Sequence, residues 1–271
     1  MQGFQFEDLS VGQSAETVHV VGAADIVDQV VDVRLFLQAG AGLGKVQHGQ
    51  VDMLVLEGVY SMEGHIARLP ELAEIAEEHN CFTVLDDAHG FGVLPSPALR
   101  YAGDDAPEIY VATLGKSLGA SGAFVAGSEA LIEYLIQRAR TWVFSTAPPP
   151  AIAAAARAAL QIVLAEPEHQ TRLAGNIARF RAGIAALGRD LPFELMASTT
   201  PIQPLLVGDA GRAMALSRQL FERGYWVAAI RPPTVPAGTS RLRVTLSAAH
   251  TEAQIDGLVA AIAECRLPAA V

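Results

Sequence analysis

Short runs of aliphatic and β-branched residues alternate along most of the chain with segments whose apolar positions recur at helical spacing. That alternation is the mark of βαβ units and of a largely parallel sheet covered on both faces, so the predicted fold class is α/β. Residues 52–57 (DMLVLE) read as a buried strand. Pro70 then stands where a first helical residue would, since its missing N–H has no intrahelical partner to lose, and LAEIAEEH follows at helical period until Asn80. CFTVL predicts another buried strand ending at Asp86, and 109–113 and 123–126 predict two more, each beside a Gly-bearing turn. A long helix over 151–165 stops near Pro167.

Beyond Pro167 the pattern changes. Helical spacing over 170–187 and 210–223 flanks short strands at 202–206 and 226–230, and 241–246 alternates polar and apolar residues as a half-exposed strand does. Thr251 with Gln254 predicts a capping box at the start of a final helix. The expected organisation is an atypical segment at 1–50, a large domain at 51–167 and a small C-terminal α+β domain at 168–271, with no internal repeat.

Composition narrows the partners. A chain of 271 residues fits one large domain or two modest ones, taking roughly 150 residues per domain. Its 29 acidic against 19 basic residues give a net charge of −10, which leaves no basic surface for nucleic-acid phosphates or anionic membranes. With 51% hydrophobic and 18% charged residues the chain is expected to be globular. Two cysteines, Cys81 and Cys265, build no disulfide framework, which favours a reducing compartment. The apolar stretch 147–165 opens on three prolines and is interrupted by Arg157, so it reads as a buried Ala-rich helix rather than a membrane span. The start, MQGFQFEDLSVGQ, lacks the cationic and apolar blocks of a secretory signal, and the expected location is the cytosol.

Three segments concentrate chemistry. FTVLDDAHG (82–90) brings two carboxylates and an imidazole to the C-terminal end of a strand, where open α/β sheets bind ligands. Asp86 there suits a protonated ring nitrogen and His89 a neighbouring polar atom; equally, Asp86 is a turn cap and His89 a solvated loop residue. ATLGKSLGASG (112–122) sets a lone lysine, Lys116, among small residues, where a desolvated amine can form a Schiff base with a carbonyl, although most lysines are simply solvated. IRPPTVPAGTSRLRVT (230–245) stiffens a loop with prolines and leads into a strand bearing Arg241 and Arg243. Those guanidinium groups are suited to bidentate carboxylate capture, or else to guarding an exposed edge strand.

Taken together, EGVYSMEG (57–64), DDAHGFGVL (86–94), TLGKSLGASGA (113–123), FSTAPPP (144–150) and IRPPTVPAGTSRLRVTLSAAH (230–250) resemble, in order and spacing, the α-oxoamine synthases. These are fold-type-I enzymes dependent on pyridoxal 5′-phosphate, and the resemblance covers residues 51–265. It implies a three-layer large domain with a mainly parallel sheet and a small C-terminal domain. Lys116 would carry the cofactor and act as acid and base at the substrate Cα, with Asp86 on the pyridinium nitrogen and His89 on the ring's 3′-oxygen. Ser61 and Thr113 would line the cofactor site, Thr113 beside the phosphate. Arg243 would receive the amino-acid carboxylate and Thr234 would contact substrate. Ser145 and Thr146 would approach the partner subunit's cofactor, implying a homodimer with shared sites. The IRPPTVPAGTSRLR run is most similar to the branch that condenses L-alanine with a pimeloyl thioester of coenzyme A or acyl carrier protein, with decarboxylation, in biotin biosynthesis.

Several family features have no counterpart in this sequence. The histidine that stacks on the cofactor and an N-terminal arginine near the acyl substrate are not found in recognisable context, since His19 and His48 lack the surrounding motif. After Leu94, PSPALRYAGDD stands where the family carries a glycine- and arginine-bearing loop. A second reading is therefore a non-catalytic or weakly active homologue, serving as a dimer partner or an inert fragment. A nucleotide site at Gly40, Gly42, Gly44 and Lys45 fits poorly, because Ala39 and Val46 replace the glycine and hydroxyl residue such a loop needs. A metal site from His65, His79, Cys81 and His89 has no recognised ligand spacing.

Overall fold

The computed structural model describes residues 53–78, 82–94, 106–188 and 191–266, with the backbone of 18–19. The chain divides into two compact units, Met1–Val59 with Ala67–Ala165 and Tyr60–Ile66 with Glu166–Val271.

Unit 1 is built on a five-stranded sheet in the order β1-β5-β4-β3-β2, from β1 (Val18–His19), β2 (Met53–Glu57), β3 (Phe82–Asp86), β4 (Ile109–Thr113) and β5 (Ala123–Gly127). The pairs β2/β3 and β3/β4 are parallel; β5 runs antiparallel to β4, and β1 antiparallel to β5, so four strands share one direction. Helix α1 (Leu69–Glu78) carries the crossover from β2 to β3, as parallel pairing requires. On one side, Val84, Ile109, Val111 and Val125 pack with Ile132 and Leu135 of α2 (Glu129–Arg138). The sequence reading has no element over 129–138. The helix there starts at Ser128, whose side chain accepts from the Leu131 amide at 3.3 Å, and places Glu129 in its first turn and Arg138 in its last, each favourable to the helix dipole.

A single-turn helix, α3 (Arg140–Val143), and a long one, α4 (Pro150–Ala165), follow. The expectation that α4 is buried is overturned: Ala156 is its only buried residue, and Ile162 and Leu164 are exposed. It packs through a single stripe, Ala156, Ala159 and Val163, onto Leu114, Leu118, Phe91 and Phe124. Ile152, Ala153 and Leu160 are half-buried, and Ile162 and Leu164 stay open among the described residues.

Unit 2 carries an antiparallel sheet in the order β6-β7-β9-β8, from β6 (Glu194–Leu195), β7 (Ile202–Gly208), β8 (Ala228–Ile230) and β9 (Ser240–Thr245). Helices α5 (Glu168–Ala186), α6 (Ala210–Glu222) and α7 (Glu252–Glu264) cover it, with Phe180, Leu205, Leu216, Leu220, Leu242 and Ile255 at the centre of the core. The Asp209 side chain caps α6, and the predicted Thr251–Gln254 capping box opens α7. One expectation fails here. β9 is neither half-exposed nor an edge strand, because it lies between β7 and β8, and both its arginines are drawn off the solvent side.

The segment 60–66 lies in sequence between β2 and α1, yet it belongs to unit 2. Its turn closes on itself through the Tyr60 amide to the His65 carbonyl at 2.9 Å and the Gly64 amide to the Tyr60 carbonyl at 2.8 Å. Side chains of unit 2 then hold its backbone. Ser198 and Thr200 hydroxyls donate to the Gly64 carbonyl at 3.0 and 3.1 Å, and Arg243 Nε donates to the Ser61 carbonyl at 2.7 Å. Those non-local bonds are invisible to periodicity.

Candidate active site

In unit 1 the chemistry gathers at the C-terminal ends of β3 and β4. Asp86 is the last residue of β3, paired in register with Glu57 of β2 and Val111 of β4. It is half-buried; Oδ1 accepts from the Ala88 amide at 2.8 Å, and Oδ2 has no hydrogen-bond partner among the described residues. Asp87 turns inward. It is 1% exposed and accepts from the Tyr110 hydroxyl at 2.9 Å, while its amide donates to the Val111 carbonyl. Adjacent carboxylates on a strand end thus face opposite ways, one to the open end of the sheet and one to its interior. The Asp87 carbonyl accepts from the Gly90 and Phe91 amides, winding a turn that carries His89, half-buried. A Cβ at Gly90 would collide with Asp87 Oδ1, so any side chain there would have to displace the buried carboxylate.

Lys116 sits on the loop that leaves β4. Thr113 Oγ1 donates to the Gly122 carbonyl and accepts from the Gly115 amide, each at 3.2 Å, and the Leu114 and Ala120 amides close the loop's base. Ser117 Oγ donates to the Phe91 carbonyl at 2.5 Å, tying the lysine loop to the turn that carries Asp86 and His89. The structure therefore brings Asp86, His89, Thr113 and Lys116 to one end of the sheet. Among the described residues Lys116 is exposed, and its neighbours Gly115, Ser117 and Gly119 give it no apolar cover. Ser145 and Thr146 lie exposed just after α3, and no hydrogen bond among the described residues joins them to the Asp86–Lys116 group.

Ser61, Thr234 and Arg243 belong to unit 2. Thr234 is exposed in the loop between β8 and β9, its amide donating to the Arg231 carbonyl. Arg243 is half-buried, with Nη1 on Thr245 Oγ1 at 3.0 Å besides its Nε on Ser61; burial pushes its guanidinium below the usual value. Arg241, two residues before it on the same face of β9, is spent differently. It is 4% exposed and its Nη1 pairs with Glu63 Oε1 at 2.9 Å, while Nε donates to the Thr239 carbonyl. Sequence reasoning offered both arginines to a carboxylate. Only the depth of each side chain separates a structural cation from a free one.

The proposed nucleotide loop at 39–46 and the metal candidates His79 and Cys81 lie outside the described residues, as does His48. Among the described residues, no group of three or more His, Cys, Asp or Glu is placed to hold a metal ion, and no helix is long and apolar enough to cross a membrane.

The donor set fits pyridoxal phosphate on its chemistry: a carboxylate oxygen without a partner among the described residues for a protonated pyridine nitrogen, a primary amine for the aldehyde, and an imidazole and a hydroxyl on the loops between. The sequence model for aminotransferase class I and II matches residues 36–262. Curated relatives include the 8-amino-7-oxononanoate synthase of Methylococcus capsulatus, 54% identical over 217 residues, covering 78% of this chain and 55% of that protein. The synthase of the same name from Alkalilimnicola ehrlichii is 49% identical over 246 residues, covering 83% and 62%. Solved structures include a serine palmitoyltransferase from S. paucimobilis with a bound PLP–myriocin aldimine, with TM-score 0.71 and 30% identity over 78% of this chain and 54% of that one. The 8-amino-7-oxononanoate synthase of Francisella tularensis has TM-score 0.67 and 32% identity over 79% and 63%. This chain thus spans between half and two thirds of the length of these relatives. With the family model matching residues 36–262 and these structures superposing on more than three quarters of it, the chain belongs to the aminotransferase class I and II family and has the fold-type-I architecture of its pyridoxal-phosphate enzymes.

Proposed function

We propose that the protein is a pyridoxal-phosphate-dependent acyltransferase that condenses L-alanine with a pimeloyl thioester of coenzyme A or acyl carrier protein, releasing CO2 and the thiol and giving 8-amino-7-oxononanoate. The observation that carries this reading is the convergence of Asp86 and Lys116 on loops from adjacent parallel strands, tied by Ser117 and Phe91. Relatives at about half identity are named for that synthase.

When bound, the cofactor supplies an electron sink for charge developing at the amino-acid Cα. The chain's residues do the rest. Asp86 holds the proton on the ring nitrogen through its unpartnered oxygen, and His89 donates to the ring's 3′-oxygen. The Lys116 amine would hold the cofactor through its aldehyde and, once freed by the amino acid, would take the proton from Cα, while the Thr113 hydroxyl and Ser61 would line the site, Thr113 toward the phosphate. Arg243 receives the amino-acid carboxylate with the Nη hydrogens left by Ser61 and Thr245, and Thr234 contacts substrate. Placing the reacting carbon beside Lys116 supplies most of the positional advantage.

The same reading makes the protein a cytosolic homodimer in which Ser145 and Thr146 approach the partner's cofactor. The exposure of Val143 and Phe144, just before Ser145, supports this, since large apolar side chains left open to solvent suit an interface. A second reading, a non-catalytic dimer partner, draws on the exposure of Lys116 in the single chain.

Titrating the full chain with pyridoxal phosphate separates the two. The synthase reading expects stoichiometric uptake with an absorbance lost in Lys116→Ala, then CO2 release from L-alanine and pimeloyl-CoA. A Lys116→Ala protein indistinguishable from wild type in both assays establishes the non-catalytic reading instead.

A further inference from the structure

The turn 60–66 is held by a buried cation that no substrate role uses. Arg241 and Arg243 stand two residues apart on β9 and so share one face of the strand. Both address the same turn: Arg241 Nη1 reaches Glu63 Oε1 at 2.9 Å and the Met62 carbonyl at 3.4 Å, and Arg243 Nε reaches the Ser61 carbonyl at 2.7 Å. Arg241 also binds Thr239 through its carbonyl at 3.0 Å and its hydroxyl at 3.3 Å, so its own position is fixed from the sheet side. The turn is consequently registered against β9 at two successive arginines. Of the five guanidinium N–H donors of Arg243, one goes to Ser61 and one to Thr245, leaving three on its Nη atoms, the edge that forks onto a carboxylate.

We infer that Glu63 and Arg241 are positioning residues for carboxylate recognition: their ion pair fixes turn 60–66 so that the Ser61 carbonyl orients Arg243, whose Nη edge then meets the amino-acid carboxylate. This rests on the assignment of Arg243 under the proposed function. A purely structural ion pair would lower stability without regard to Arg243. A positioning pair acts through it, and the two roles differ in a double-mutant cycle.

The test uses the full chain loaded with pyridoxal phosphate, reading the change in its lysine-dependent absorbance on titration with L-alanine. Glu63 is partly solvent-exposed, so Glu63→Gln is expected to fold; Arg241→Lys, which keeps the charge and loses the fork, is the second variant. Each is expected to weaken L-alanine binding by about tenfold, the size of one misplaced charge-assisted hydrogen bond, with pyridoxal phosphate uptake unchanged. Arg243→Lys should weaken it at least as much, and Glu63→Gln added to Arg243→Lys should have no further effect. Wild-type affinity in Glu63→Gln and Arg241→Lys, or full additivity with Arg243→Lys, overturns the inference alone. A wild-type chain that takes up the cofactor and ignores L-alanine overturns the functional reading and this inference with it.

Discussion

Lys116 rides on a loop closed almost entirely by its own backbone, with the Leu114, Gly119 and Ala120 amides and the Thr113 hydroxyl all bonding within residues 113–122. The turn bearing Ser61 is held instead by side chains that arrive from far along the chain: Ser198, Thr200, Arg241 and Arg243. One loop is locally determined and open to solvent; the other is gripped from outside and has little room. The glycines show the contrast at atomic scale. Gly64 and Gly119 both have positive φ, +71° and +59°, but a Cβ at Gly64 would lie 2.4 Å from the Ile202 carbonyl oxygen, whereas one at Gly119 would meet nothing within 4 Å. A self-contained loop leaves Lys116 exposed, and an externally gripped turn fixes the backbone that Arg243 binds.

Gly64→Ala should produce the largest effect that tests this difference. Left-handed strain and collision with backbone together should cost about 3 kcal/mol or more, read as a lowered urea midpoint. Gly119→Ala carries only the conformational term, about 1 kcal/mol. Equal losses at the two positions would erase the distinction between the loops. Acid probes a smaller feature of unit 1, the Glu108 carboxylate that accepts from the Thr83 amide at 2.8 Å and from its hydroxyl. Burial pushes the Glu108 carboxyl up, but the Thr83 hydroxyl and amide outweigh it and leave it below its ordinary 4.5. A folded value below the unfolded one contributes stability that is present above the ordinary glutamate value and lost as pH falls through the lowered one. The protection factor of the Thr83 amide, its measured exchange referred to the intrinsic rate at each pH, should fall across that acid range in wild type. It should stay level in Glu108→Gln; an identical acid limb in the variant would show that the bond contributes nothing.

Much of unit 1 was readable because its strands are short, apolar and bounded by Gly, Pro or Asp, and because the motif around Lys116 is local. Helix α2 is hard to read from sequence although Leu131, Ile132, Leu135 and Ile136 recur at helical spacing, because the exposed residues between them dilute the signal. The apolar content of α4 misled in the opposite direction, since hydrophobicity reports a wish for burial and says nothing about which surface provides it. The membership of 60–66 in unit 2, the depth of Arg241 and the inward turn of Asp87 all depend on contacts between residues far apart in sequence. For the arginines, alternation along β9 identified a shared face but left open which would be consumed by Glu63.

The grip on turn 60–66 also orders events in time. Glu63 leaves the ribosome 178 residues before Arg241, so its carboxylate waits for its buried counter-charge until β9 has been made. A fragment beginning at residue 166 would contain every element of the antiparallel sheet and still lack the acceptors its two β9 arginines require. Unit 2 is thus a folding module only in company with a piece of chain synthesised long before it, and dissecting this protein at Pro167 would separate a buried cation from its counter-charge.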